Sequence, residues 1–251
     1  IDSDGNLFVS ENLGLAGSDQ PVPGRIVKIQ PDGAQQVIAE VASPTSLAVD
    51  RDGVVYVVDG FTRVLKISPG APAEVIAGDP QLDPVGLAVS PSGNLYISDS
   101  KNGTVWKRDS AGRLQQLVRS GLVPNPTYLA VNQREEVYVC QTGLDVLPMG
   151  LVGLQQALQV PVLIIDKTAS IHRLGVRGDP AVLSTQDVAV APSGDLYLND
   201  GSGIRVVRAP VPAVAVESRA LWRLELLLGA ALVGLGLALS GSGLVLYLSR
   251  S

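Results

Sequence analysis

The chain has 251 residues, with 19 Lys and Arg against 24 Asp and Glu, a net charge of −5; phosphate binding needs a basic face, so this acidic balance argues against nucleic acid as the main partner. One cysteine, Cys140, and one histidine, His172, exclude an intrachain disulfide, a paired-thiol metal site and a multi-histidine centre. Charged residues are only 17% of the chain and mean hydropathy is +0.27, so some segment concentrates apolar residues.

The sequence opens on Ile1-Asp2-Ser3-Asp4-Gly5-Asn6, without an initiator Met or leader pattern, and reads as the middle of a repeat, with residues expected upstream. A hairpin signal then recurs five times: Asp4-Gly5-Asn6-Leu7-Phe8-Val9, Asp52-Gly53-Val54-Val55-Tyr56-Val57, Ser92-Gly93-Asn94-Leu95-Tyr96-Ile97, the degenerate Arg134-Glu135-Glu136-Val137-Tyr138-Val139, and Ser193-Gly194-Asp195-Leu196-Tyr197-Leu198. The turn glycine, with Glu135 standing in once, recurs at intervals of 48, 40, 42 and 59 residues. A period near 40 with short strands points to propeller blades.

Each unit has the same internal order. A small apolar strand (Leu47-Ala48-Val49, Leu87-Ala88-Val89, Leu129-Ala130-Val131, Val188-Ala189-Val190) precedes the glycine turn, whose positive φ makes a tight hairpin. The second strand alternates as a half-buried strand does. A third carries a basic residue: Arg25 to Ile29, Arg63 to Ile67, Thr104 to Arg108, Ser170 to Leu174, Ile204 to Arg208. A fourth follows at 36–39, 74–77, 116–118 and 181–183. The expected fold is all-β, a propeller of four-stranded antiparallel blades over residues 1–208, six blades favoured and five the alternative, with the first strands innermost. The long interval holds an insertion, 142–167, read either as an elaborated loop with its own small core or as a contact element for a partner or membrane surface.

Pro84-Val85-Gly86-Leu87-Ala88-Val89 through Asp99, and Pro44 to Asp59, resemble the repeat of NHL propellers; Thr185 to Asp200 is less close. The resemblance implies the fold, which hosts binders, lactonases and lyases alike.

After an extended linker, 209–219, comes a terminal segment, 220–251. Its residues 226–249 carry no charge; as a helix these 24 residues reach about 36 Å, enough for a hydrocarbon core of about 30 Å. A single transmembrane helix is expected there, with Trp222, Arg223, Tyr247 and Arg250 at its interfaces; the alternative is a hairpin of two short strands about Ser240-Gly241-Ser242-Gly243. Ala230, Gly234, Ala238 and Ser242 form a small-residue strip for packing against another membrane helix, or reflect only an Ala- and Gly-rich composition. The expected partners are thus the lipid bilayer and an integral membrane protein. Arginine count alone would place the propeller inside; exported, membrane-tethered relatives of the fold favour the outside.

No residue set is assigned a catalytic or metal role, and no cofactor is expected. Glu11, Asp59, Asp99 and Asp200 recur at strand ends, which suits turns. Asp2-Ser3-Asp4-Gly5-Asn6 has Leu13 where a calcium-binding EF-hand loop needs Glu, so it reads as a hairpin turn. His172 reads as packed or surface, Cys140 as a buried inert thiol, and Asn102-Gly103-Thr104 as a turn rather than a glycosylated sequon. The expected function is a membrane-anchored, non-enzymatic binding or scaffold subunit. A tethered lactonase or esterase with a channel metal is the alternative.

Overall fold

The computed structural model describes residues 1–11, 23–78, 82–141, 162–175, 185, 187–199, 203–208, 211–215, 238–240 and 243–245. Five antiparallel sheets follow one another along the chain. The first holds β1 (Leu7–Glu11), β2 (Gly24–Ile29) and β3 (Gln35–Val41). The second holds β4 (Pro44–Val49), β5 (Val55–Asp59), β6 (Arg63–Ile67) and β7 (Glu74–Ala77), and the third β8 (Pro84–Val89), β9 (Leu95–Asp99), β10 (Thr104–Arg108) and β11 (Leu114–Gln116). The fourth is β12 (Pro126–Val131), β13 (Val137–Gln141), β14 (Leu163–Ile165) and β15 (Ile171–Gly175), and the fifth β16 (Asp187–Val190), β17 (Leu196–Asn199) and β18 (Ile204–Val207). The chain is a propeller of five blades, not six. The hairpin repeat occurs five times and each copy makes one sheet, so the described residues build no sixth.

Four apolar clusters hold the blades together, each shared by two consecutive blades. Ile26 and Val41 of blade 1 meet Val55 and Val57 of blade 2. Tyr56 and Val58 of blade 2 meet Leu95 and Ile97 of blade 3. Tyr96 and Val105 then meet Val137 and Val139, and Tyr138 and Ile164 meet Leu196 and Leu198. Successive residues of a strand point to opposite faces, so Val55 and Val57 face one neighbour while Tyr56 and Val58 face the other. The second strands of blades 2 to 4 are therefore buried on both faces along their whole length, rather than half-buried as their alternation suggests.

The two ends of the series differ. Leu7 and Val9 occupy the positions of Val55 and Val57 yet are 46% and 40% exposed, against 0% for both valines. Tyr197, Ile204 and Val206 on blade 5 are likewise exposed. Among the described residues no fifth cluster joins blade 5 to blade 1.

First strands of adjacent blades touch, β4 with β8, β8 with β12 and β12 with β16, which puts them innermost as expected. They are irregular at the start: the register shifts between Pro84 and Leu87 and between Pro126 and Leu129. Proline has no N–H for the ladder and suits such a bulge. The inner crossing of blades 3 and 4 is a close backbone approach. A Cβ on Gly86 would lie 2.1 Å from the carbonyl oxygen of Thr127. Ser98 bridges the crossing: its hydroxyl accepts from the Gly86 amide at 2.7 Å and donates to the Thr127 carbonyl at 2.5 Å.

Blade 4 departs from the expected strand assignment. Its third strand is Leu163–Ile165, inside the stretch read as an insertion, and Ile171–Gly175 is its fourth strand rather than its third. Apolar Leu163, Ile164 and Ile165, all buried, fit between β13 and the blade edge better than the polar Ser170-Ile171-His172-Arg173 run. The basic-residue rule misplaced the strand for that reason; 181–183 lies outside the described residues. Within the expected linker, β19 (Val211–Ala215) pairs with β15 and covers the outer edge of blade 4. Pro212 sits on this new edge, where a missing N–H costs least.

In the terminal segment, β20 (Ala238–Ser240) and β21 (Gly243–Val245) pair antiparallel, Ala238 opposite Val245. These six residues are strands, as in the hairpin alternative, and the rest of the expected helix lies outside the described residues. The intervening Gly241-Ser242 is a dipeptide suited to a two-residue hairpin turn. No helix among the described residues is long and apolar enough to cross a membrane.

Gly86→Ala should lower stability by about 3 kcal/mol, because a methyl group there meets fixed backbone. Gly93→Ala should cost about 1 kcal/mol, since its Cβ meets nothing within 4 Å and only the left-handed φ of +81° is strained. Urea midpoints of the two variants, compared with wild type, check the order; equal costs would contradict the close inner crossing.

Candidate functional site

The hairpin between first and second strands is built alike in successive blades. Asp2 Oδ1 accepts from the amides of Asp4 and Asn6 at 3.0 and 2.9 Å. Asp50 Oδ1 does the same with Asp52 and Val54, both at 2.9 Å, and Asn132 Oδ1 with Arg134 and Glu136 at 2.9 and 3.0 Å. These short polar side chains stabilise the turn locally. The residue that must then take positive φ is glycine at 5, 53, 93 and 194. The Asp2 segment is accordingly a hairpin turn, as the sequence suggested.

Glu135 breaks this rule. It holds φ of 63°, a conformation that costs a side-chain-bearing residue about 1–2 kcal/mol. Its carboxylate reaches across to blade 3, where it accepts from the hydroxyls of Ser92 and Tyr96 and, at 3.1 Å, from Asn94 Nδ2. Lys107 Nζ lies 3.6 Å away and 5.5 Å from the centre of the Tyr96 ring. Burial raises the Glu135 carboxyl, but the hydrogen bonds from Ser92, Tyr96, Ser90 and Asn94 outweigh it and hold it down to about 2. Burial, together with Glu135, pushes the Tyr96 hydroxyl up, so the phenol stays a donor. Glu135 was visible as an exception to the glycine rule, but the sequence gives no view of what its side chain meets in the preceding blade.

The same groove lies open elsewhere. Between blades 4 and 5, Gly194 replaces Glu135 and leaves a cleft of about 250 Å³ lined by Asn132, Arg134, Glu136, Tyr138 and Pro192. Between blades 1 and 2, Gly53 faces Phe8 and Lys28 across a cleft of about 310 Å³ that also takes in Val37 and Ile67.

The other sequence candidates serve the blades themselves. Glu11 pairs with Arg25 Nε at 2.5 Å. Asp59 accepts from the Ser43 amide at 2.8 Å and from Arg63 Nε and Nη2 at 2.8 and 2.6 Å. Asp99 accepts from Asn102 Nδ2 at 2.8 Å and Trp106 Nε1 at 3.0 Å. These strand-end carboxylates are turn braces; Asp200 lies outside the described residues. Cys140 is fully buried beside the Thr185 hydroxyl, 3.1 Å away, and burial pushes its thiol up to about 12. His172 Nε2 sits 2.9 Å from Asp166 Oδ2 in the outer hairpin of blade 4. Thr168 Oγ1 engages the other oxygen of that carboxylate at 2.6 Å, not the imidazole. Gly103 turns at φ of 58°, and Thr104 is buried with its hydroxyl on the Val118 carbonyl at 2.5 Å, in keeping with a turn at Asn102-Gly103. Among the described residues no group of three or more His, Cys, Asp or Glu is arranged to hold a metal ion.

Of the membrane-segment residues, Trp222, Arg223, Ala230, Gly234, Ser242, Tyr247 and Arg250 lie outside the described residues. Ala238 is in strand β20, so the four-residue strip does not run as a helical stripe through 238–240 and 243–245.

Residues 82–107 match the NHL repeat model, the stretch whose Pro84 to Asp99 carries the resemblance. The chain is a β-propeller that carries a match to the NHL repeat in its third blade. No curated protein matches it in sequence. Among solved structures, a chain of the nidogen–laminin complex is similar at 15% identity and TM-score 0.58, over 83% of this chain and 80% of that one. A streptogramin B lyase is similar at 13% identity and TM-score 0.54, over 82% and 74%. A protein assigned as a gluconolactonase is similar at 18% identity and TM-score 0.53, over 73% and 66%. At these identities the likeness shows the fold alone.

Glu135 ionises near 2 in the folded chain against an ordinary value of 4.5, so its stabilisation is complete above about pH 4.5 and is lost as pH falls toward 2. Glu135→Gln, which keeps the shape and removes the charge, should cost on the order of 2 kcal/mol at pH 6 once partial exposure is allowed for. Thermal or urea unfolding should show that gap closing below pH 3; a gap independent of pH would mean the carboxylate is not what the groove holds.

Proposed function

We propose that the chain is a membrane-anchored, non-enzymatic propeller that binds or scaffolds a protein partner. The observation that carries the reading is the use made of its carboxylates. Asp59 and Asp99 brace their own blades, Glu11 pairs with Arg25, and Glu135, the acid that breaks the repeat, is spent on joining two blades. Side chains so engaged are poor general acids or metal ligands, because each would have to give up hydrogen bonds that the fold uses.

The anchor rests on the charge-free stretch 226–249. A pair of three-residue strands bonded, among the described residues, only to each other is marginal in water, and its open edges would be costly in lipid. A helix satisfies every backbone group there, so in a bilayer the segment takes the helical form, with Trp222, Arg223, Tyr247 and Arg250 at the interfaces and the propeller on the extracytoplasmic side. Ala230, Gly234, Ala238 and Ser242 then face the helix of an integral membrane partner. A tethered lactonase or esterase is the second reading, favoured by the fold shared with a lyase and a protein assigned as a gluconolactonase.

The wild-type chain should resist alkaline extraction from liposomes, whereas Leu232→Arg with Leu237→Arg should be released, each arginine costing about 2.5–3.5 kcal/mol at the bilayer centre. Gly234→Leu with Ala238→Leu should stay in the membrane but lose its co-purifying partner. Extraction of the wild-type chain would remove the anchor. Calcium-dependent turnover of a lactone, abolished by chelation, would replace the binding reading with the second one.

A further inference from the structure

The repeat offers four grooves of one design, each between the second-strand aromatic residue of one blade and the turn residue of the next. Glu135 shows what one of them takes: a carboxylate, held by a tyrosine hydroxyl with a lysine close by. Tyr96 stands opposite Lys107 in the ladder of blade 3. The same pairing occurs in blade 2, Tyr56 opposite Lys66. The other two grooves lack it. Phe8 has no hydroxyl, and Tyr138 stands opposite Ile164 with Glu136 beside it in the cleft.

In the groove between blades 2 and 3 the turn residue is Gly93, and the space where its side chain would begin is open, with nothing within 4 Å. Arg108 ends the third strand of blade 3 at the position that Ile67 holds in blade 2, and Ile67 lines the groove between blades 1 and 2. The Arg108 charge is near enough to Tyr56 to act on its hydroxyl, as is that of Asp50. Arg108 Nε is buried and has no hydrogen-bond partner, an uncommon state for a guanidinium N–H. Among the described residues Lys66 forms no ion pair. Asp50, near Tyr56, is itself held by the Asp52 and Val54 amides, and Glu74 stands opposite Lys66 in the ladder. What the groove holds unsatisfied among the described residues is the Arg108 Nε–H donor.

We infer that the groove between blades 2 and 3 is a binding site for an acidic side chain of a partner protein, received by Tyr56, Lys66 and Arg108 as Glu135 is received by Tyr96 and Lys107. The occupant is a carboxylate on a short flexible stem, because the internal example is a glutamate side chain presented by a turn. The inference rests on the protein-binding reading above and names the chemistry that one surface of the propeller reads.

The test uses the full chain in nanodiscs with ¹⁵N-labelled arginine, the Arg108 Nε–H resonance being assigned with Arg108→Lys. N-acetyl-glutamic acid α-amide supplies a side-chain carboxylate, and N-acetylglycine a terminal one. The first probe should shift Arg108 Nε–H saturably in the millimolar range, and the second about tenfold more weakly. In Gly93→Glu, which supplies its own carboxylate as Glu135 does, the resonance should start near the bound position and no longer respond. Lys66→Met should weaken the response about tenfold and does not depend on a substitution at a strained turn. A shift that does not saturate, or that is unchanged in both variants, overturns the site; equal or stronger binding of N-acetylglycine overturns the side-chain assignment. No partner is present in the measurement. A saturable shift beside an empty pull-down would therefore sink the partner reading and keep the site, and the reverse pair of results would do the opposite.

Discussion

Everything in this propeller depends on each blade burying a face against the next. A blade is too thin to have a core of its own, so its second strand is apolar on both sides and its neighbours complete the packing. Val55 and Val57 close the first interface, Leu95 and Ile97 the second, Val137 and Val139 the third, and Leu196 and Leu198 the fourth, all buried. Each such side chain contributes about 1.5–3 kcal/mol when fully withdrawn from water. Toward the axis the blades converge until backbones touch, which is why Gly86 has no room for a side chain against Thr127 and why Ser98 replaces apolar packing with a buried hydrogen-bonded bridge.

The same stacking makes one turn residue per blade decisive. It lies opposite the aromatic residue of the preceding blade, and its side chain, or the lack of one, sets whether the groove is filled. Glycine is the economical choice for backbone conformation. Glutamate at 135 accepts a strained φ in exchange for hydrogen bonds from Ser92, Asn94 and Tyr96. The strained position thereby ties two blades together, and it displays the chemistry that an open groove of the same design offers to an outside group.

Much of this was legible in the sequence because propeller units repeat. The Asp-Gly and Ser-Gly turns, the Leu-Ala-Val strands and the Tyr between apolar neighbours each marked a strand correctly in blades 2 and 3, as the Asp-Gly turn did in blade 1. Blade 4 was misread where the basic-residue rule fails: Ile164 holds the position of Lys66 and Lys107, so the strand carrying His172 and Arg173 was moved one place inward. The sixth blade was inferred from incomplete terminal units, yet pairing is settled by which edges find hydrogen-bond partners, and β19 returns to the edge of blade 4 instead. Glu135 was seen as a substitution for glycine, but its partners lie some forty residues away, and contacts between blades have no local signature. In the terminal segment, hydropathy describes the membrane preference of a stretch while Gly241-Ser242 describes a turn; the strands at 238–240 and 243–245 follow the second signal.

The fold alone does not choose among binding, lyase and lactonase roles, since side chains at the blade surface decide that, and here Glu11, Asp59, Asp99 and Glu135 are committed to turns and to blade contacts. The central claim is that mutual burial of blade faces organises the molecule, with β1 on its Leu7 and Val9 side and β17 on its Tyr197 side left without a neighbour among the described residues. Native-state hydrogen exchange measures this most directly. The account predicts that amides of β5, β9 and β13 exchange only with global unfolding, while those of β1 exchange through local opening and several-fold faster under the same conditions. Equal protection of β1 and β9 would contradict it.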